Sequence, residues 1–371
     1  MNKILMFSWK DINHPKSGGA EIVTHELAKQ LVKDGNTVTL LTARYPNSQP
    51  KQTLNGVDII RVGNNSLTHY CSAWWYYRKH LKGNYDIIIE QINTLPYLTK
   101  LYSDREKTLL FYHQLAREIW LYEMIFPLSL IGFMLEPLYT WLESRFRTPV
   151  IVVSQSTKND LVRYGFSPKN ISVISLGLTH KPLQIYNHHD KQQVFTVMFH
   201  SSLRAMKRPA DMIRAFVLFN QNFPETILWM SGGGDQGELR KLARRSGCEE
   251  KIHFLGRVSD EEKLEYMKQA SVLCSTSVKE GWGLIVTEAH SMATPTITYD
   301  VDGLRDATTF GGGYVCRPDP QSLADSLASL YNIFTNDTKQ YDSLCQNALS
   351  QSKKVTFEQS YTDLQDVLKK L

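Results

Sequence analysis

Cysteine is scarce in this chain, and what there is lies scattered. Cys71, Cys248, Cys274, Cys316 and Cys345 are odd in number and form no Cys-x-x-Cys pair. That spacing excludes a zinc ribbon or a disulfide framework and fits a reducing compartment, so the cytoplasm is the expected location. Cys274, inside an apolar run, reads as a small core residue. Long apolar runs are also lacking. The nearest is Met124–Leu135, twelve residues broken by Pro127 and Gly132, well short of the ~20 that a spanning helix requires. Met1–Ser8 is too short for a signal peptide and reads as a first strand. Charge of one sign is not concentrated. A net +5 is not the footprint of a nucleic-acid binder, but it permits nucleotides or acidic lipid headgroups as partners. Gly-x-Gly-x-x-Gly does not follow the first strand, which disfavours a nicotinamide dehydrogenase. Nor does any cluster of carboxylates and histidines stand out, as an epimerase would require.

What is present is enough for two α/β domains. The chain has 371 residues, 42% hydrophobic and 21% charged, an ordered globular composition. Short apolar runs alternate with helical ones: 3–9, 37–42, 57–62, 86–90, 108–112 and 150–154 are expected strands. A polar stretch, Tyr186–Gln193, reads as a linker, after which the pattern restarts with strands at 194–199, 226–230, 251–255, 270–277, 294–299 and 313–316. The expected fold is α/β with two Rossmann-like, doubly wound domains, residues 1–187 and 188–356, facing each other across a cleft. The final helical run, 357–371, is expected to return to the first domain. Ligands of such sheets bind beyond the carboxyl ends of the strands.

The most informative segment is Glu280-Gly-Trp-Gly-Leu-Ile-Val-Thr-Glu288. A buried strand leads in, glycines turn the chain, and a helix starts near Leu284. Free N–H groups and the positive dipole end suit phosphate there. Glu288, about one turn into the helix, can share a crevice with Glu280. Gly18-Gly-Ala-Glu21 opens the first helix, where backbone can approach a diphosphate; it is equally an ordinary glycine-rich turn, with Glu21 as a cap. Arg204, Lys207 and Arg208 follow the first strand of the second half and would face phosphate, or else form a solvated charge run. His113 ends a strand and is either a hydrogen-bonding or acid/base group or a structural histidine. Asp300 and Asp302 resemble a metal pair, but Asp302-Gly303 is a turn signal and is read as such. Residues 113–146 are dense in aromatics mixed with Arg117, Arg145 and Arg147. They read either as an interfacial element on an anionic membrane or as two buried helices.

Taken together, Gly18-Gly-Ala-Glu21, His113, Arg204, Lys207 and Glu280–Glu288 resemble the retaining glycosyltransferases of family 4, the glycogen synthase and mannosyltransferase-like group with the GT-B fold. The resemblance covers nearly the whole chain. It implies transfer of glucose or mannose from a nucleotide diphosphate sugar to a glycan or lipid-linked sugar acceptor, with retention and no obligatory metal or other cofactor. By the same resemblance, Gly18 and Gly19 contact the diphosphate through N–H groups, and Arg204 and Lys207 neutralise it. Glu280 binds sugar hydroxyls, and Leu284 and Ile285, after Gly283, offer N–H groups to phosphate. Glu288 holds the ribose diol, Arg257 lines the base pocket and His113 sits near the transferred sugar. Two positions depart from the family pattern: Ser202 stands where the family's arginine usually lies, and Thr294 where glycine is frequent. The competing readings are a non-catalytic two-lobe nucleotide- or sugar-binding protein and a nucleotide-sugar epimerase-like enzyme. Placement at the cytoplasmic face of a membrane goes with the interfacial reading of 113–146.

Overall fold

The computed structural model describes residues 1–63 and 66–371. The first half runs β1 (Lys3–Phe7), α1 (Gly19–Lys33), β2 (Thr37–Ala43), β3 (Lys51–Leu54), β4 (Val57–Val62), α2 (Ser66–Tyr76), β5 (Ile87–Ile92), β6 (Lys107–Tyr112), α3 (Ile119–Glu123), α4 (Leu128–Ser144), β7 (Val150–Val152), α5 (Gln155–Arg163) and β8 (Ile171–Val173). Eight strands make one sheet in the order β3-β4-β2-β1-β5-β6-β7-β8, parallel except where β3 pairs antiparallel with β4. Strands such as Ile87-Ile-Ile carry no polar alternation because helices cover both faces. The edge strand β3 was not expected from the sequence. Asn55-Gly56, with φ of 52° and 81°, is the hairpin signal that would have revealed it.

The second half runs β9 (Thr196–His200), α6 (Pro209–Asn220), β10 (Ile227–Ser231), α7 (Gly237–Arg245), β11 (Ile252–Gly256), α8 (Asp260–Gln269), β12 (Val272–Ser275), α9 (Leu284–Ser291), β13 (Thr296–Tyr299), α10 (Leu304–Phe310), β14 (Tyr314–Cys316), α11 (Pro320–Asn336) and α12 (Thr338–Ser352). Its six strands are all parallel, in the order β11-β10-β9-β12-β13-β14. The order reverses at β9, so the loops leaving β9 and β12 diverge at a switch point, where α/β sheets bind ligands. Cys274 and Cys345 are packed in the main apolar core of this half. The last helix, α13 (Phe357–Leu368), belongs to the first unit. Gly177 donates its N–H to Ser360 Oγ at 2.9 Å, and the Tyr361 hydroxyl donates to Asp34 Oδ2 at 2.7 Å.

The division of the chain differs from the expected one. One unit comprises Met1–Arg117, Leu130–Gly177 and Thr356–Leu371; the other comprises Glu118–Ser129 and Leu178–Val355. The break thus precedes residue 187 by ten positions, and residues 118–129 join the second unit. The reason lies in the polar stretch expected to be a linker. Tyr186 OH donates to Asp342 at 2.7 Å, and the buried Lys191 ammonium donates to Thr294 Oγ1 at 2.7 Å. Polar residues with partners of this kind are part of a domain, not a tether. Lys191 also explains Thr294: a glycine there would leave a buried ammonium without its acceptor.

Candidate active site

The second unit gathers five loops at the carboxyl ends of its strands. Val278 N–H donates to Met206 O at 2.8 Å, and Thr276 Oγ1 donates to Lys207 O at 2.8 Å, tying the loop after β12 to the loop after β9. Leu203 N–H donates to Gly233 O at 2.8 Å, and Gly232 N–H to Gly256 O at 2.7 Å, drawing in the loops after β10 and β11. Gly232 has φ of 134°, and a Cβ there would lie 1.7 Å from Ser201 O, so only glycine permits this approach. Glu280 N–H donates to Asp302 O at 3.1 Å, joining the loop after β13.

On this frame Glu280 accepts hydrogen bonds from the Lys207 ammonium and, at 2.7 Å, from Ser277 Oγ. Both partners bind one oxygen, Oε1, which leaves Oε2 for another donor. Gly283 caps α9 with φ of 86°, and a Cβ there would lie 2.8 Å from Leu304. Val286 N–H donates to Gly283 O at 2.9 Å. Leu284 and Ile285 therefore present the first N–H groups at the helix end, where an anion is favoured. Glu288 lies one turn on and is mostly buried. Burial raises its pKa above the ordinary carboxylate value, and Lys263 opposes that rise from 3.1 Å. Burial lowers the Lys263 ammonium, but Glu288 and Asp260 more than offset it, so its pKa stands above the usual lysine value.

Arg204 is half exposed. Its Nε donates to Ser202 Oγ at 3.2 Å and its Nη1 to Glu123 Oε2 at 3.4 Å, while Glu123 Oε1 accepts from Met206 N–H at 3.2 Å. The guanidinium thus bends back over Ser202, toward the position where the family pattern expects arginine. Arg257 lies along Gly233: a Cβ built there would sit 3.5 Å from the Arg257 Nε. The two aspartates of the suspected metal pair are engaged by cations, Asp300 by Arg305, and Asp302 by Lys279 at 2.7 Å.

The remaining expected residues lie in the first unit. Gly18 is the cap of α1, and its N–H donates to Glu21 Oε2 at 2.6 Å; Gly19 is the first helical residue. Glu21 therefore plays the capping role expected for it, and its carboxylate already holds the Gly18 N–H proposed for a phosphate. His113 is buried, with Nε2 2.7 Å from Gln91 Oε1 and its ring stacked on Phe111 at 4.2 Å. Burial pushes its pKa down to about 3, so the ring is neutral near pH 7. That suits hydrogen bonding and not proton storage. Ser8, Thr24, Gln91 and His113 line one small pocket, and Gln91 Nε2 is buried there with no hydrogen-bond partner among the described residues.

The structure therefore brings Arg204, Lys207, Arg257, Gly283, Leu284, Ile285, Glu280 and Glu288 together on one set of loops. Gly18, Gly19 and His113 belong to the other unit. Sequence reading missed Lys263, Ser277 and Glu123. Ser277 was legible, since it stands three residues before Glu280 at the end of a strand. Lys263 and Glu123 carry no local signal, because their partners lie 25 and 81 residues away.

Two family models match: "Glycosyltransferase Family 4" over residues 17–181 and "Glycosyl transferases group 1" over residues 184–351. A phosphatidyl-myo-inositol mannosyltransferase of Mycobacterium leprae is 35% identical over 111 residues, 29% of this chain and 29% of that protein. Over the whole length, the structure is similar to sucrose-phosphate synthase of Thermosynechococcus elongatus, with TM-score 0.79, 18% identity, and coverage of 100% of this chain and 99% of that one. It is also similar to HepE of Anabaena solved with UDP-glucose, with TM-score 0.74, 19% identity and full coverage of both chains. The two adjoining family matches span most of the chain, both sheets are of the fold its solved neighbours share, and the chain is a GT-B glycosyltransferase of the family 4 type.

Proposed function

We propose that the chain transfers a hexose, glucose or mannose, from a nucleotide diphosphate sugar to a hydroxyl of a glycan or lipid-linked sugar, with retention of anomeric configuration. The observation that carries this reading is the Lys207–Glu280 pair beside the N-terminus of α9, with Glu288 one turn further on. Glu280 accepts sugar hydroxyls, Glu288 accepts the ribose diol, and Arg257 flanks the base. As the sugar–phosphate bond breaks, negative charge grows on the leaving diphosphate. Arg204, Lys207 and the N–H groups of Leu284 and Ile285 bind that charge more tightly as it develops, which is the condition for a rate gain. These fixed cations supply the charge that a divalent ion would otherwise bring, so the reaction is proposed to need no metal. The acceptor oxygen bonds the anomeric carbon on the face the phosphate leaves, and the departing phosphate oxygen takes the acceptor proton. In the first unit, the unpartnered Gln91 Nε2 and the neutral His113 offer hydrogen bonds to sugar hydroxyls.

The test is a panel of UDP- and GDP-hexoses with and without glycan and glycolipid acceptors, with and without chelator. Expected is release of nucleotide diphosphate with an α-linked product by NMR, unaffected by chelator. An epimerised nucleotide sugar with no released nucleotide would overturn the reading, as would binding with no turnover on every acceptor.

A further inference from the structure

Helix α4 is inside out. Its acidic and hydroxyl side chains face the protein: Glu136 is 1% exposed and Glu143 2%, with Ser129 and Thr140 also buried. Its apolar side chains face outward: Ile131, Met134, Leu135, Leu138 and Trp141 are all about half exposed or more, Met134 reaching 66%. Their spacing of three and four residues puts them in one stripe. A surface helix in water carries the reverse arrangement. For α4 the buried-helix alternative is therefore not what the fold contains, although Ile119 and Trp120 of α3 are buried. The inward glutamates are held in place. Glu136 accepts the N–H groups of Ala116 and Arg117, and Glu143 accepts from Tyr112 OH. Anchored from within in this way, the helix cannot roll its apolar stripe inward without stranding two carboxylates.

A second element repeats the chemistry on the same face of the sheet. The strand registers Phe7↔Glu90 and Glu90↔Leu110 put Phe7 and Tyr112 on one face. Helix α2 and the helical turn Tyr77–Leu81 that continues it pack on Phe7 through Ala73 and Tyr77, and α4 meets Tyr112. Trp74 and Trp75 of α2 are exposed, and Arg78 and Lys79 lie over their rings at 5.3 and 4.7 Å. Arg145 lies over Trp141 at 5.3 Å in the same way. The charge that these two segments themselves carry outward has one sign. Residues 66–85 contain no acid, and the only acids of residues 124–149 are the two buried glutamates.

We infer that this face docks on an anionic lipid bilayer. The Ile131–Trp141 stripe enters the headgroup boundary, the tryptophans lie at its level, and Arg78, Lys79, Lys82, Arg145 and Arg147 meet the lipid phosphates. Exposed tryptophan beside arginine and lysine, an apolar stripe and no outward acid on either segment are the combination that binds such interfaces. A second protein copy would bring the same all-positive rim against itself, which charge repulsion opposes. The inference stands apart from the sugar chemistry and needs no turnover to test.

The whole chain is floated, without nucleotide, on phosphatidylcholine vesicles with and without phosphatidylglycerol, at low and high salt. It should float with the anionic vesicles, less so at high salt, and not with the neutral ones. Met134→Ser with Leu138→Ser should weaken binding about tenfold or more, and Arg78→Gln or Lys79→Gln about fivefold each. Both lie on outward side chains, so the melting temperature should hold. Brominated lipid should quench the wild-type tryptophan signal, which keeps the test sound if a variant misfolds. Absence of flotation on anionic vesicles overturns the inference. So does a dimer in sedimentation velocity that the Met134/Leu138 variant dissociates, which would assign the face to a second copy.

Discussion

Lys263 Nζ lies 3.1 Å from each carboxylate oxygen of Glu288, and both side chains are largely buried. Under the proposed function Glu288 holds the ribose diol, a role that requires the ionised carboxylate. Burial raises its pKa and Lys263 pulls it back. Lys263→Met should therefore let the pKa rise further, so that nucleotide affinity falls already on modest acidification. Near pH 7 the expected loss is roughly tenfold, the value of one charge-assisted hydrogen bond. Calorimetric titration of UDP and GDP between pH 5 and 8 checks this. The sign for stability is opposite: a carboxyl with a raised folded pKa costs stability as pH rises through that pKa, and the variant should be destabilised most at high pH. Affinity that keeps its wild-type pH dependence would refute the coupling.

Glu280 and Glu288 should fail differently. Glu280 is held by Lys207 and Ser277, and under the proposed function it accepts sugar hydroxyls, so Glu280→Ala should mainly lower kcat, by about 10²–10³ if its contacts strengthen in the transition state. Glu288→Ala should mainly weaken free-nucleotide binding. Lys207→Ala removes the diphosphate cation and strips Glu280 of its partner, so it should lose both. Equal loss of free-nucleotide affinity in Glu280→Ala and Glu288→Ala would sink this division of labour.

How much of this was legible beforehand differs from element to element. The parallel strands announced themselves because burial on both faces makes them uninterrupted apolar runs, as at Ile87-Ile-Ile. The β3–β4 hairpin was signalled by Asn55-Gly56 and overlooked because β3 itself, Lys-Gln-Thr-Leu, is polar. The turn at Gly283 and the helix after it were legible because positive φ and a free helix end have local signatures. Ion pairs do not: nothing within Asp260–Gln269 marks Lys263 as the partner of Glu288, 25 residues on. The aromatic stretch was ambiguous for a different reason. Periodicity reports that α4 has two faces, and only the inward hydrogen bonds of Glu136 and Glu143 decide which one is inside.

Glu123 occupies a place suited to phosphate. Its carboxylate accepts from Arg204 and from Met206 N–H in the loop that also carries Lys207. A diphosphate drawing on the same donors must displace it. Glu123→Gln keeps the shape and removes the charge, so diphosphate should bind about two- to fivefold tighter, in line with the small value of a half-exposed ion pair. The gain should shrink as salt rises. Uridine without phosphate is the control and should bind equally to both proteins. Weaker UDP binding in the variant would show that Glu123 orients Arg204 instead of competing with the ligand.

His113 makes a prediction about pH in which catalysis and stability separate. Its folded pKa of about 3 lies far below the ordinary histidine value of 6.5 because the ring is buried. The ring is thus neutral well above pH 3, and the rate profile above about pH 4 should show no inflection from it. Stability does feel it. A histidine with a depressed folded pKa contributes fully above the unfolded value near 6.5, and that contribution drains away as pH falls toward 3. At pH 5 the loss is about 2 kcal/mol from this residue. His69, His200 and His290, each lowered to about 4 by burial, add to the same slope. His113→Gln keeps a hydrogen bond to Gln91 within reach and cannot take up a proton. Its unfolding free energy should therefore fall less steeply between pH 6 and 4, by close to one proton. An unchanged slope would mean that His113 is solvated and protonates in the folded protein, and its place as a neutral hydrogen-bonding group beside the sugar would have to be given up.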